Sequence, residues 1–544
     1  MTCRIPHALP LPVPAEMAAW DRAAIHEFGL RQEVLMENAG RAAAEVALAA
    51  LGGADGACGL RALVLAGGGN NGGDAFVAAR HLADAGARVL VLHAGPARRY
   101  RGAAAANLRL ARRMGLPVAR PGARGPEAAA LAAWEGRAPD LVVDGLLGTG
   151  FSGPLRPEAR AWIEAANRLG REAFVLALDI PSGLDGRTGR PGPVAVAADA
   201  TVCFQAAKLG TALPEAGPWT GELHIVPIGI PGFLIRQAPA RCALLTSGTA
   251  LLAPPPDPLL HKGRAGHVLV VGGSPGLAGA PLLAALGALR GGAGLATVAC
   301  PGALAAEVRS GQPDVMTLPL GRERDWSAAL AAELAPALER FDALALGPGL
   351  GRAPGAGEFV RALLALPALP PLLADADALF WLAQAPTLAA RAAVLTPHPG
   401  EAARLAGTDT AAVQADRPGT ARALAARLDA VVALKGAGTV VAAPDGAAWL
   451  APFAVPALAV AGSGDVLSGL AAALLARGLA PAEAACLGVY WHGLAGEAVQ
   501  ARAPLRGALA SEIAAALPRA LADALGEFTH PSSTTTRPED PSDA

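Results

Sequence analysis

No two of the six cysteines in this 544-residue chain form a C-x-x-C pair. They are Cys3, Cys58, Cys203, Cys242, Cys300 and Cys486, and none sits at zinc-like spacing with a histidine. A disulfide framework and a structural zinc site are both excluded, and scattered single cysteines fit a reducing, cytoplasmic setting. Charge of one sign is missing too. The net charge is -1 with acidic and basic residues interspersed, which excludes a broad nucleic-acid surface but leaves room for a local phosphate pocket. Long uncharged apolar runs are absent: Arg290, Asp465 and Arg477 interrupt the alanine-leucine stretches. These read as buried or amphipathic helices, so no membrane association is expected. The start, MTCRIPHALPLPVPAEM, is broken by prolines and makes a poor signal peptide. There is no G-x-x-x-x-G-K-[ST], which excludes a P-loop mechanism.

What is present suffices for two domains. Hydrophobic residues make up 53% of the chain and charged residues 17%, so buried cores are easily built. Two alternating β/α series stand out. RALVLA (61–66), RVLVLHA (88–94), DLVVDGLLG (140–148) and FVLALDIPSG (174–183) form the first, after a helical region from about Ala15 to Leu51. The second opens at GHVLVVGGS (266–274) and runs through LATVACP, FDALALGPG, PPLLADADAL, AAVLTPHPG and AVVALKGAGTVV. Short, fully apolar strands divided by helices predict parallel sheets covered on both faces. The fold class is α/β. A proline-rich stretch containing APPPDPLL separates the series. The tail, THPSSTTTRPEDPSDA, is polar and is expected to be disordered.

AGGGNNGGD follows the first strand, and Gly67, Gly69 and Gly72 satisfy G-x-G-x-x-G. A dinucleotide fingerprint also needs a carboxylate about 20 residues on, at the end of the second strand. That strand ends at His93-Ala94 with none. What remains is a glycine-rich turn and a helix whose first turn is expected to hold Asp74. Its amides can hold an anion, although such glycines also serve ordinary turns. Two further strand ends carry polar groups: Asp144, followed by the glycine-rich turn Gly148 to Pro154, and Asp179 with Ser182. One such Asp is usually a cap. Three strand ends converging at the carboxyl edge of a parallel sheet favour a site. Asn, Asp and Ser oxygens without histidine or cysteine suit a hard cation.

LMENAG (35–40), GGGNNGGD (67–74), VVDGLLGTGFSGP (142–154), LDIPSGLDGRTG (178–189) and CFQAAKLG (203–210) resemble the NAD(P)H-hydrate epimerases over about residues 15 to 235. The resemblance implies interconversion of the R and S forms of hydrated NADH and NADPH, which differ at C6 of the nicotinamide ring. It implies a substrate site at Asn70, Asn71, Gly72, Gly73, Asp74, Gly148, Thr149, Gly150, Phe151, Ser152, Gly153, Pro154 and Asp179. It also implies a potassium ion held by Asn71, Asp144 and Ser182. Asp179 is the candidate for proton transfer, because a strand-end carboxylate can reach a bound hydroxyl. Ala75 departs from the family, which usually has glycine there, and its methyl could crowd the loop.

In the second series, VAGSGDVLSGLAAALLARG (460–478) puts Gly462, Ser463 and Gly464 before an apolar helix with Asp465 in its first turn. Amides there can stabilise developing phosphate charge, and a neighbouring carboxylate can take a proton from an attacking hydroxyl. The plain alternative is an N-capping Asp, which would not need three small residues before it. Lys435 in ALKGAGTVV marks a nucleotide-contacting turn or a simple hairpin, and His398 is held between prolines in TPHPGEAARL.

Together with HKGRAGHVLVVGGSPGLAGAPLLAALGALRGGAGLATV (261–298), GPGLG and DADAL (375–379), these pieces resemble the ribokinase-like superfamily. Within it they are most similar to the ADP- or ATP-dependent NAD(P)H-hydrate dehydratases, over about residues 245 to 525. The resemblance implies substrate contacts at Ala280, Gly349, His398 and Asp465. It implies nucleotide contacts at Lys435, Gly436, Ala437, Gly438, Thr439 and Gly464, with Mg2+ accompanying ADP or ATP. The expected layout is two three-layer α/β/α domains. A Rossmann-like epimerase domain spans 1–235, a linker 236–262, a ribokinase-like dehydratase domain 263–525 and the tail 526–544. The expected partners are small molecules, with no nucleic acid, in a homo-oligomer. The rival is a vitamin or sugar kinase fused to a non-catalytic nucleotide- or RNA-binding domain.

Overall fold

A computed structural model describes residues 5–53, 55–151, 153–255, 257–310, 312–503 and 506–529. The chain divides into two compact units, Leu9–Ala243 and the residues from Leu244 onward, the latter joined by the described residues before Leu9. Each has its own sheet. The expected tail lies mostly outside the described residues. Of the expected linker, Ser247–Leu252 forms a 3-10 helix with Gly248, Thr249 and Ala250 buried.

The first unit's strands are β1 (Arg61–Ala66), β2 (Arg88–His93), β3 (Val118–Ala119), β4 (Leu141–Gly145), β5 (Phe174–Leu178), β6 (Ala200–Phe204) and β7 (Glu222–Val226). They lie in the order β3-β2-β1-β4-β5-β6-β7, and the pairing is parallel throughout. The apolar runs noted above account for β1, β2, β4 and β5; β3, β6 and β7 extend the sheet at its two edges. The helices used below are α1 (Pro14–Arg22), α2 (Gln32–Ala50), α3 (Asn70–Asp84), α4 (Gly102–Arg113) and α5 (Pro157–Leu169).

β1 shows why these strands read as continuous apolar runs. Ala62, Val64 and Ala66 enter the core shared with α2, α3 and α4. Leu63 and Leu65 point the other way, into a core with Trp162 and Ile163 of α5. Successive side chains alternate between faces, so a sheet covered on both sides needs apolar residues at every position. At roughly 25 cal/mol per Å² of apolar surface, each buried valine or leucine contributes about 1.5–3 kcal/mol, and each alanine less. The strand order reverses between β1 and β4, which opens a crevice at their carboxyl ends. The backbone is tight there. A Cβ on Gly67 would stand 1.7 Å from the Leu146 carbonyl oxygen, so only glycine fits.

In the second unit, nine strands are used here: β8 (His267–Val271), β9 (Leu295–Pro301), β10 (Met316–Leu320), β11 (Ala343–Leu346), β12 (Leu372–Ala374), β13 (Val394–Leu395), β14 (Val431–Leu434), β15 (Val440–Ala442) and β16 (Ala448–Leu450). Their order is β16-β15-β14-β13-β12-β11-β8-β9-β10. Pairing is parallel from β14 to β10 and antiparallel among β14, β15 and β16. The helices that matter are α6 (Gly279–Arg290), α7 (Asp377–Gln384), α8 (Pro399–Ala406), α9 (Arg417–Leu428), α10 (Ser463–Ala476) and α11 (Pro481–Arg502). α6 and α10 cross at glycines. A Cβ on Gly469 would meet the Ala284 carbonyl oxygen at 1.7 Å, and one on Gly287 would meet that of Val466 at 2.2 Å. This backbone contact fixes the height of the α10 amino end. Among the described residues, no helix is long and apolar enough to cross a membrane.

Candidate active sites

In the first unit, a cavity of about 770 Å³ opens at the crevice. Asn70, Asn71 and Asp74 line it from α3, Leu146 to Phe151 and Pro154 from the turn after β4, Asp179 from the end of β5, and Asp21 from α1. Gly72 and Gly73 face away. A Cβ on Gly72 would strike the Gly67 carbonyl oxygen at 1.9 Å, and one on Gly73 would meet Met36 at 2.6 Å. These two glycines serve packing. Gly153 is not among the lining residues, and Ser152 lies outside the described residues. One expectation needs correction. α3 begins at Asn70, so Asp74 sits beyond the first turn, inside the helix. Two asparagines and two glycines open the helix, and the acid follows them. Ala75 does not crowd the cavity: its methyl packs against Gly145, 2.6 Å from where a Cβ would stand there.

Asp144 is fully buried. Its Oδ1 accepts from Leu146 N at 3.1 Å and from Ser182 Oγ at 2.7 Å. Its Oδ2 accepts from Ser182 N at 2.8 Å. Burial pushes the carboxyl up to about 6 despite these donors. Leu147 N donates to Ser182 Oγ at 2.8 Å, and Asn71 Nδ2 donates to Leu147 O at 3.0 Å. The amide of Asn71 is thereby oriented, yet its buried Oδ1 has no hydrogen-bond partner. A buried acceptor left without a donor costs about 1–3 kcal/mol. Amide, carboxylate and hydroxyl oxygens gathered around such an orphan fit a hard cation.

A second cluster surrounds Asp179, whose backbone takes the left-handed region at φ 65°. Lys208 is fully buried and directs its ammonium at Asp179 Oδ1, at Phe204 O (3.1 Å) and at Ala206 O (3.1 Å). All three donors are used. Phe204 N also donates to Asp179 Oδ1 at 3.3 Å. Asp74 beside this pair is pushed well above the usual carboxylate range, first by burial and then by Asp179 and Asp21. Burial, with Asp179 next, lifts Asp21 to about 6. The site therefore combines an aspartate–lysine pair with two carboxyls whose proton affinity is raised. Sequence reasoning missed Asp21 and Lys208. A lysine inside the apolar run CFQAAKLG was the available signal for Lys208; Asp21 gave none.

In the second unit, functional groups gather where β12, β13 and β14 end. Asp375, nearly fully buried, follows β12. Its Oδ1 accepts from Lys435 Nζ at 2.6 Å and its Oδ2 from Ser468 Oγ at 2.6 Å. Burial works to lower the Lys435 ammonium, but Asp375 and Glu401 outweigh it and hold the group above its usual value. Gly464 lies against this pair, its missing Cβ 3.3 Å from Lys435 Nζ. Asp465 is the next residue, and burial, with Asp375 second, raises its carboxyl to about 7. Burial likewise raises Glu401 to about 7. His398 caps α8: Gly400 N donates to its Nδ1 at 3.0 Å, and its own N donates to Glu401 Oε2 at 2.8 Å. Burial and the nearby Lys435 hold the imidazole below its usual value.

Ala280 and Gly349 come together, since a Cβ on Gly349 would stand 3.2 Å from that of Ala280. The turn from Lys435 to Thr439 joins β14 to the antiparallel β15. Thr439 Oγ1 donates to Gly436 O at 3.0 Å, and Gly438 N to Phe453 O at 2.7 Å. The Arg417 guanidinium donates to the Ala437 carbonyl. Lys435 thus commits its ammonium to Asp375, while the backbone of Gly436 to Thr439 forms the turn. Sequence reasoning missed Asp375, Glu401, Ser468 and Arg417. The first three lie inside motifs already noted, DADAL, TPHPGE and GSGDVLSG.

Two family models match the chain: YjeF-related protein N-terminus over residues 32–210, and NAD(P)H-hydrate dehydratase over residues 268–519. The chain is 40% identical over 518 residues to the bifunctional NAD(P)H-hydrate repair enzyme Nnr of Moorella thermoacetica, covering 93% of this chain and 96% of that one. It is 35% identical over 518 residues to the Escherichia coli protein of the same name, covering 95% of each. A solved ADP/ATP-dependent NAD(P)H-hydrate dehydratase from Bacillus subtilis, co-crystallised with ATP/Mg2+, is 30% identical, with a TM-score of 0.43, covering 52% of this chain and 98% of that one.

Proposed function

The chain belongs to the bifunctional NAD(P)H-hydrate repair enzymes, and from that membership we propose how its two units divide the work. The chain is both an NAD(P)H-hydrate epimerase and an NAD(P)H-hydrate dehydratase. Leu9–Ala243 carries the epimerase and the unit from Leu244 onward the dehydratase. One observation supports the division above others. The NAD(P)H-hydrate dehydratase model falls on residues 268–519, inside the second unit, and each unit sets a carboxylate at the carboxyl edge of a parallel sheet beside a lysine–aspartate pair: Asp179 itself with Lys208, and Asp465 next to Lys435–Asp375.

In the epimerase unit, the hydrate occupies the cavity with its ring near Asp179. Asp179 takes the C6 hydroxyl proton as the C6–N1 bond opens to an aldehyde and a proton passes to N1, and the reverse transfer closes the ring on either face of C6. Lys208 holds one carboxylate oxygen in place and leaves the other for the substrate. Asn70, Asn71, Asp74 and the turn from Gly148 to Pro154 bind the rest. Asn71, Asp144 and Ser182 would hold a potassium ion, which when bound supplies a fixed positive charge beside that turn.

In the dehydratase unit, hydroxide is a poor leaving group from the hydrated ring, and phosphorylation converts it into a good one. Asp465 takes the proton of the C6 hydroxyl. The oxygen attacks the terminal phosphoryl of ADP or ATP, which enters as its magnesium complex, and AMP or ADP departs. The C6–O bond then breaks, phosphate leaves with that oxygen, and loss of the C5 proton restores the double bond of NADH or NADPH. The α10 amino end and Gly464 face the transferring phosphoryl. The turn from Lys435 to Thr439 contacts the nucleotide, and Ala280, Gly349 and His398 contact the hydrate. A dehydratase selective for S gains the R form through the epimerase, which gives the fusion its sense.

The test is incubation of the purified protein with each hydrate epimer, varying ADP, ATP, Mg2+ and K+ one at a time. Recovery of NADPH absorbance with stoichiometric phosphate supports the reading. A stable phosphorylated product would establish a kinase instead. Consumption of S alone, with R untouched, would make the first unit a binding module.

A further inference from the structure

The second strand's missing carboxylate has a counterpart in the structure. In a dinucleotide fold, an acid at the end of that strand binds the ribose hydroxyls, and a nearby arginine accommodates a 2′-phosphate instead. Here β2 ends at His93, which is buried with its Nδ1 2.6 Å from Gly95 O, and so faces inward. The chain then turns through Ala94 and Gly95 to Arg99, and all three line the cavity. Arg99 folds over Gly95, its Cδ 3.5 Å from where a Cβ would stand. Arg99 is exposed at the rim, and no described ion pair engages it. Among the described residues, the only other arginine lining the cavity is Arg156.

The cavity is therefore unlike at its two ends, with Arg99 at one and the Asp179–Lys208 pair at the other. Its lining runs across the ends of four adjacent strands, β2, β1, β4 and β5. Three strand intervals of about 4.8 Å separate β2 from β5 by roughly 14 Å, a span suited to an extended dinucleotide. The acid cluster of Asp21, Asp74 and Asp179, with Lys208 paired to Asp179, lies at the β5 end. The β2 end carries Arg99, and the acid nearest it in the lining, Glu158, is paired at 3.8 Å with Arg120 just after β3. Resting on the epimerase assignment above, we propose that the hydrate lies with its ring at β5 and its adenosine at β2, and that Arg99 binds the 2′-phosphate of hydrated NADPH. Arg99 is thus a specificity-determining residue that favours the phosphorylated hydrate over hydrated NADH. A guanidinium–phosphate contact is charge-assisted and can be bidentate.

Arg99→Gln in the full chain tests this, with Arg98→Gln as the control, since Arg98 is an exposed neighbour outside the lining. Two readouts are used: kcat/KM for the R epimers of hydrated NADPH and hydrated NADH, and calorimetric affinity for NADP+ and NAD+. Arg99→Gln is expected to lower kcat/KM and affinity for the phosphorylated member of each pair about tenfold or more. The unphosphorylated member should change less than twofold, and Arg98→Gln should match the parent. Equal losses on both members, or no loss on either, overturn the proposal. If the parent protein epimerises neither hydrate, the epimerase assignment falls instead, and the NADP+ and NAD+ affinities still decide the fate of Arg99. Any binding in the second unit is common to parent and variant and cancels.

Discussion

Asp465→Asn should stabilise the second unit while abolishing dehydration. The structure gives both the sign and the size. Burial, with Asp375 beside it, lifts the Asp465 carboxyl from 3.8 to about 7. A folded-state value above the unfolded one means that the folded protein prefers the protonated form. The associated stability is full below the unfolded value of 3.8 and is lost as pH rises towards about 7. Above that, the native state carries an ionised carboxylate in surroundings that penalise it. A tenfold change in proton affinity corresponds to about 1.4 kcal/mol, so a change of roughly a thousandfold sets a limit of about 4 kcal/mol. Asp465 keeps partial solvent contact, and screening reduces the expected gain to about 2 kcal/mol at pH 8. Asn has nearly the same shape and never ionises, so the gain should shrink below about 1 kcal/mol at pH 5. Urea unfolding of the full chain, followed by hydrogen exchange in α10 peptides, isolates the relevant transition. Dehydratase turnover measured alongside should fall by a factor of about 100 or more, as befits loss of a general base. A variant that is less stable at pH 8, or whose gain is the same at both pH values, would refute the reasoning.

Other outcomes follow from the same geometry. Parent dehydratase activity should decline as pH falls through about 7, because Asp465 must be ionised to accept a proton; a pH–rate profile of kcat at saturating ADP checks this. Lys208→Met leaves Asp179 and two carbonyl oxygens facing an apolar group, and should cost the first unit about 3–5 kcal/mol in urea unfolding. Pairing it with Asp179→Asn should recover part of that loss. Gly469→Ala drives a methyl to 1.7 Å from the Ala284 carbonyl oxygen, so α6 and α10 must separate; protection of α10 amides and dehydratase activity should fall together. Potassium, exchanged for tetramethylammonium at constant ionic strength, should raise the thermal midpoint of the first unit, and Asn71→Ala should remove that response.

What was legible in the sequence is what local chemistry fixes. A strand buried on both faces has to be apolar throughout, so RALVLA and DLVVDGLLG announced β1 and β4, and the polar residues just after them stood out. The Asn70–Asp74 segment, Asp144, Asp179 and Asp465 were visible for that reason. What stayed hidden depends on pairs distant along the chain. Lys208 meets Asp179 across 29 residues, and Ser468 meets Asp375 across 93. No spacing rule reaches so far. The glycines show a different limit. Gly72 and Gly73 sit at the start of α3 among residues that line a cavity, yet each is required by packing. A glycine-rich motif cannot say which of its members make room for a ligand and which make room for the protein.

The two units have unlike strand orders, yet they solve one electrostatic problem in the same way. A carboxylate needed for proton transfer has to be near the substrate, in a place that excludes water, and burial alone would leave it protonated. A lysine alone would hold a carboxylate ionised but could also occupy the oxygen needed for catalysis. In the first unit, Lys208 engages one oxygen of Asp179 and spends its remaining donors on two backbone carbonyls, so it is fixed there. In the second, the lysine is one step removed. Lys435 pairs with Asp375, which Ser468 holds from its other side, and Asp465 stands next to that pair with a value of about 7. The difference suits the two reactions. An epimerase must donate and accept at one centre, and Asp179 held by Lys208, with Asp74 and Asp21 of raised proton affinity nearby, offers groups for both roles. A phosphoryl transfer needs one proton removed near neutral pH, and a carboxylate poised at about 7 is basic enough to take it while a substantial fraction is already ionised.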